Sequence, residues 1–173
     1  MVTVLQQAPD FRAPAVFGKG EIRELGLSDY RGKWVVLFFY PLDFTFVCPT
    51  EILEFSKRAN EFGALGAQVM GCSVDSQHSH KAWIDNGLGE LHIPLVSDLT
   101  KSIARSYGAL LEDKGFATRA TYIIDPKGVV QYASYHNTAV GRSVSETLRV
   151  LEALQTGEKC PVDWRPGART LGR

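Results

Sequence analysis

The sequence predicts an α/β fold, a mixed central sheet with flanking helices, on three observations. Trp34-Val35-Val36-Leu37-Phe38-Phe39-Tyr40 and Ala67-Gln68-Val69-Met70-Gly71-Cys72-Ser73-Val74 are nearly unbroken apolar runs of strand length, the pattern of strands buried on both faces. Between them Ile52, Leu53, Phe55, Ala59 and Phe62 recur at helical spacing. Strand, helix and strand in this order build a parallel sheet through a right-handed crossover. Further on, Thr121-Tyr122-Ile123-Ile124 and the run from Val129 to Tyr135 flank the turn Asp125-Pro126-Lys127-Gly128, an antiparallel hairpin signal.

The remaining elements follow in chain order. Residues 8–33, with Pro9, Pro14 and several glycines, read as a loop-rich approach to the first strand. Pro41 stops that strand, and Pro49 suits a first helical position, where its missing N–H would be unpaired anyway. Cys48 therefore lies at a strand-to-helix junction. Ser79 to Asn86 and Thr100 to Tyr107 read as short helices, the second with Ile103, Ala104 and Tyr107 on one face, and Ile93-Pro94-Leu95-Val96 as a short edge strand between them. Ser143 to Gln155 closes with a helix whose capping pair is Ser143 and Glu146, and Gly157 is its stop signal. This order is that of the thioredoxin-like fold with N-terminal and mid-chain insertions. It divides the chain into a domain over 1–156 and a C-terminal tail over 157–173.

A chain of 173 residues, 45% hydrophobic and 22% charged, can bury a full core as one domain and fits neither a disordered nor a fibrous class. Nineteen basic residues balance nineteen acidic ones, which argues against a nucleic-acid or anionic membrane partner. The longest apolar runs fall well short of a membrane span, and the first residues carry no leader pattern, so a cytoplasmic location is expected. The three cysteines, Cys48, Cys72 and Cys160, are too few and too dispersed for a disulfide scaffold or a C-x-x-C site.

The thiolate is the nucleophilic form of cysteine, and a helix N-terminus favours it through partial positive charge and free N–H donors. On residue type alone a buried structural thiol is the favoured reading of position 48, and the proline-bounded strand-to-helix junction makes the two readings equal. Acidity is moreover not sufficient for a fast reaction. A thiol brought from about pKa 8.5 to about 6 becomes roughly thirtyfold more ionised at pH 7, yet loses roughly tenfold in nucleophilicity. The rest must come from donors aimed where charge develops on a departing oxygen. Thr45, about one turn before Cys48, offers a hydroxyl, and Arg119 offers a planar set of donors, although by itself Arg119 reads as a surface charge.

The stretch from Pro41 to Cys48 matches P-x-x-x-T-x-x-C, and Asp43-Phe44-Thr45-Phe46-Val47-Cys48-Pro49-Thr50-Glu51 resembles the typical two-cysteine peroxiredoxins, the subgroup that includes the bacterial alkyl hydroperoxide reductase peroxidase subunit. The likeness extends from Ala8-Pro9-Asp10-Phe11 through Gly71-Cys72-Ser73-Val74-Asp75 and Ile93–Asp98 to Val140-Gly141-Arg142-Ser143 and Cys160-Pro161. It implies that Cys48 is the peroxidatic cysteine, that Thr45 and Arg119 hold and activate the peroxide, and that Pro41 shields the site from water. It further implies that Glu51 orients the arginines, with Arg142 as a second partner of Glu51. Attack on hydrogen peroxide or an organic hydroperoxide then leaves a sulfenic acid on Cys48 and releases water or an alcohol, without metal or organic cofactor. Cys160, whose bland reading is an exposed thiol, becomes the resolving cysteine, forming an intersubunit disulfide with Cys48. The reductant would be thioredoxin, a flavoprotein or another dithiol protein, and the assembly a homodimer extending to a decamer, a pentamer of dimers. A redox sensor or holdase chaperone using the same cysteine is the alternative. A disulfide exchanger would need a second cysteine where Pro49-Thr50-Glu51 stands.

Cys72, within a strand pattern, reads as a buried, inert thiol. His78 and His80 stand at i and i+2, share no helix face and have no completing ligands, so an exposed helix start is expected there rather than a metal site. Readily overoxidised family members carry Gly-Gly-Leu-Gly and a C-terminal Tyr-Phe pair. Here Asn86-Gly87-Leu88-Gly89 and the lack of Tyr or Phe after Tyr135 lead to the expectation of a robust enzyme.

Overall fold

A computed structural model describes all residues, 1–173. The chain forms two compact units, Met1–Arg142 and Ser143–Arg173, so the closing helix groups with the tail.

The first unit is built on seven strands: β1 (Arg12–Gly18), β2 (Glu21–Gly26), β3 (Trp34–Phe39), β4 (Ala67–Ser73), β5 (Leu91–Ser97), β8 (Arg119–Ile124) and β9 (Val130–His136). Their order is β2-β1-β5-β4-β3-β8-β9. β3, β4 and β5 run parallel to one another, with Val36 opposite Val69 and Cys72 opposite Val96, and β1 joins β5 antiparallel. β8 and β9 continue the sheet antiparallel from β3, with Leu37 opposite Tyr122. A mixed sheet follows, as the apolar runs require: Val35 to Tyr40 are all essentially without solvent contact.

Helices α1 (Cys48–Lys57) and α2 (Ala59–Ala64) lie between β3 and β4, α3 (Gln77–Trp83) between β4 and β5, and α4 (Ser102–Tyr107) after β5. The helical repeat at 52–62 is interrupted at Arg58, and of its apolar residues Ile52, Phe55 and Phe62 are fully buried whereas Leu53 faces solvent. Phe55 stacks on Phe38 of β3 with ring centroids 4.5 Å apart, which fixes α1 against the sheet. Ser76 caps α3, which ends in a wider turn over Ile84–Leu88, and the Asp98 carboxylate accepts from Ile103 N and Ala104 N at the start of α4.

Two readings of the sequence are corrected. Residues 8–33 hold a β-hairpin, β1 and β2, not only loops, and the 93–96 segment is the seven-residue interior strand β5 rather than an edge. The causes are one and the same: β1 pairs with β5, Ala15 against Val96 and Val16 against Leu95, and so covers an edge that would otherwise be open. A two-residue ribbon, β6 (Leu110–Leu111) with β7 (Phe116–Ala117), is an addition without a sequence signal strong enough to predict it.

In the second unit α5 (Val144–Gln155) starts where expected, Ser143 Oγ accepting from Glu146 N. The tail is tied within the unit rather than loose: Arg149 Nη1 donates to Trp164 O, Trp164 Nε1 donates to Ala168 O, and Lys159 and Leu171 are joined to the segment opposite through backbone bonds. Trp164 is buried.

Candidate active site

β3 delivers the chain into the loop Pro41–Val47, and α1 begins at Cys48 itself, with Pro49 second. Pro41 is buried. Cys48 is 0% exposed, and its Sγ lies 3.4 Å from Nη1 of Arg119, which stands at the first position of β8. The sheet thus brings a helix-start thiol and a guanidinium together although 71 residues separate them.

Glu51, one turn into α1, organises the cations. Its Oε2 accepts from Arg119 Nη1 at 2.7 Å and Arg142 Nη2 at 2.8 Å, and its Oε1 from the Arg142 backbone N–H at 2.8 Å and side-chain Nε at 2.9 Å. The three side chains are 2–3% exposed. Arg119 Nε donates to Thr138 O, and Arg142 Nη1 donates to Phe39 O and Ala120 O, so each guanidinium is also locked to the sheet or its exit loop. Burial opposes ionisation of Glu51, but the hydrogen bonds and charge of Arg142, joined by the charge of Arg119, outweigh it and hold the carboxyl below its ordinary range. Two cations share one anion here, leaving a net positive charge beside the sulfur.

Thr45 is half-buried, and its Oγ1 donates to Leu42 O at 2.8 Å, closing its own loop rather than reaching Sγ. Cys160, in the second unit, is partly exposed, with Sγ against Ala153 O and Thr156 Oγ1. Cys72 is fully buried in β4, and burial, followed by the charge of Asp98, pushes its thiol well above the ordinary value.

The histidines require a correction. His78 is exposed, as expected, but His80 is 0% exposed. It lies on the inward face of α3 with Trp83 and Ile84, a spacing of three and four that the sequence does contain. Its Nδ1 is 2.8 Å from Asp43 Oδ2, and its Nε2 is 3.2 Å from Val96 O. No three His, Cys, Asp or Glu side chains come together as a metal-ligand set, and no helix is long and apolar enough to cross a membrane.

The AhpC/TSA family model matches residues 4–133. The chain belongs to this family, the peroxiredoxins. It is 53% identical over 173 residues to peroxiredoxin-1 of Gekko japonicus, covering 95% of this chain and 87% of the relative. It is 52% identical to the mouse mitochondrial thioredoxin-dependent peroxide reductase, over 97% of this chain and 68% of that one. Among solved structures, the reduced two-cysteine peroxiredoxin of Plasmodium vivax superposes with a TM-score of 0.93 at 41% identity, covering 98% and 93% of the two chains. Mycobacterium tuberculosis AhpC superposes at 0.86 with 39% identity, covering 95% and 99%. The fold of this peroxiredoxin is therefore thioredoxin-like, and the chain is a peroxide-reducing enzyme.

Proposed function

We propose that this peroxiredoxin reduces hydrogen peroxide and organic hydroperoxides through Cys48. The observation that carries the reading is the 3.4 Å approach of Arg119 Nη1 to Cys48 Sγ at the first residue of a helix. The thiolate attacks one peroxide oxygen, the O–O bond breaks, and its electron pair leaves on the other oxygen, which takes up a proton as water or alcohol. Cys48 is left as sulfenic acid. Arg119 stabilises the negative charge passing from sulfur to the departing oxygen, and Thr45 supplies a second donor once its hydroxyl turns from Leu42 O to the substrate. Pro41 excludes water. Glu51 and Arg142 hold Arg119 in place.

Cys160 of a second subunit then displaces the hydroxyl of the sulfenic acid, releasing water and forming an intersubunit disulfide, which a dithiol protein reduces. A relative named as thioredoxin-dependent supports thioredoxin or a similar dithiol as that reductant. A homodimer is required by this resolution step, a pentamer of dimers is its larger form, and a cytoplasmic location completes the proposal.

The test follows peroxide consumption with dithiothreitol for wild type and Cys48→Ser. Loss of consumption in the variant is expected, and a variant as fast as wild type would refute the reading. On non-reducing gels of peroxide-treated protein, Cys160→Ser is expected to abolish the covalent dimer.

A further inference from the structure

The loop that carries Thr45 is held by a buried polar cluster that includes neither Cys48 nor Arg119. Asp43 is 7% exposed, and each of its carboxylate oxygens is engaged. Oδ1 accepts from Tyr40 Oη at 2.9 Å, and Oδ2 accepts from Ser79 Oγ at 2.7 Å and faces His80 Nδ1 at 2.8 Å. The Asp43 backbone N–H donates to Asp75 Oδ2 at 3.0 Å, an oxygen that also accepts from Ser73 Oγ. The loop is thereby tied to the end of β3, to the end of β4 and to α3, and His80 extends the tie to β5 through Val96 O.

His80 spans two partners in a site closed to water: its Nδ1 lies 2.8 Å from Asp43 Oδ2 and 3.4 Å from Tyr40 Oη, and its Nε2 lies 3.2 Å from Val96 O. The contact with Asp43 is a directional bond across 37 residues, and it fixes the loop to α3 in one register. The next residue shows what is being held: Phe44 has φ 55°, a backbone region that bulky side chains rarely adopt, and its ring lies 5.6 Å from that of Trp83 in α3.

We propose that Asp43 and His80 are positioning residues for peroxide, acting through the loop by fixing Pro41 and Thr45, which flank Asp43 two residues to either side. The proposal rests on Cys48 being the peroxidatic cysteine. It separates two properties that a general loss of structure would change together: placement of the peroxide depends on the loop, whereas the thiolate depends on Arg119 and the helix start.

The experiment measures kcat/KM for hydrogen peroxide alongside the rate of Cys48 alkylation by iodoacetamide in the reduced full-length protein. Asp43→Ala is expected to lower kcat/KM by about tenfold to a hundredfold, the loss typical of a slight misplacement, with alkylation within about threefold of wild type. Asp43→Asn is expected to recover most of the loss, because its amide oxygen accepts from Tyr40 Oη and its amide nitrogen keeps a hydrogen-bonding group facing His80 Nδ1. Wild-type kcat/KM in Asp43→Ala, or a parallel fall in alkylation, would overturn the proposal. Should Asp43→Ala not fold, Ser79→Ala removes a single donor. Its expected loss is about fivefold in kcat/KM, one net hydrogen bond, with alkylation unaltered, and no change in kcat/KM would overturn the proposal equally. Cys48→Ser in the same assay keeps the two ideas apart, since consumption by that variant refutes the underlying reading and not the role of the loop.

Discussion

Cys48 and Cys72 are both fully buried, yet their surroundings are opposite in sign. Cys48 begins a helix and has the Arg119 guanidinium at its sulfur, with Glu51 and Arg142 behind it. Cys72 sits within β4, paired to Phe39 and Val96, and the nearest influential charge is the carboxylate of Asp98. Both are without solvent exposure, so burial alone cannot separate the cysteine proposed to react from the one proposed to be inert. The sign of the neighbouring charge and the backbone position do so.

The sharpest break of this comparison is removal of each thiol. Cys48→Ser is expected to reduce peroxide turnover by more than about a thousandfold, the scale of losing a nucleophile, whereas Cys72→Ala keeps it within about twofold. A comparable loss in both, measured by stopped-flow peroxide consumption, would mean that the charge environment is not what separates them. Next in size, Arg119→Ala is expected to cost about a hundredfold in kcat/KM, the scale of losing one donor at a developing anion. Because thiolate fraction alone returns so little, the rate loss should exceed any change in Cys48 ionisation measured on the same variant.

Alkylation gives a graded version of the same contrast. Under native conditions, peptide mass spectrometry should find iodoacetamide on Cys48 and Cys160 while Cys72 stays unmodified until denaturant is added. Labelling of Cys72 at the Cys48 rate would contradict the assignment of an inert thiol.

The smallest expected effect concerns stability. Glu51 titrates below its ordinary value of 4.5 in the folded protein, so its ionisation contributes stability that is fully present above about pH 4.5 and is lost as the pH falls through the lowered folded value. Glu51→Gln should therefore cost about 3 kcal/mol at pH 7, since it leaves two buried guanidinium groups without their anion, and progressively less below pH 4.5. Urea unfolding of both proteins across that range measures it. A cost that is constant with pH would show that packing, and not the charge, is what Glu51 contributes.

Much of the site was legible because its signals are local. Pro41, Thr45, Cys48, Pro49 and Glu51 occupy one short stretch, and the strand-to-helix junction follows from the change from an apolar run to a helical repeat bounded by proline. The recessive parts are those whose partners are distant. β1, diluted by Pro14 and alanines, becomes a strand because β5 and β2 lie on its two sides. His80 is drawn inward by Asp43, and the helical spacing of His80, Trp83 and Ile84 was the only local sign of it.

By itself the sequence determined the alternation of strand and helix, the helix-start position of Cys48 and its proline-bounded loop, since propensity, periodicity and chain-breaking residues act within a few positions. Only the tertiary structure decided that Arg119 reaches Sγ, that Glu51 gathers two guanidinium groups, and that one buried thiol meets a guanidinium while the other, inside β4, is buried away from water under the charge of Asp98. Those outcomes depend on strand order and register, which bring residues separated by 71 and 91 positions within hydrogen-bonding distance. No local pattern records which side chains will share a space closed to water, and in such a space the sign of a single neighbour sets the chemistry.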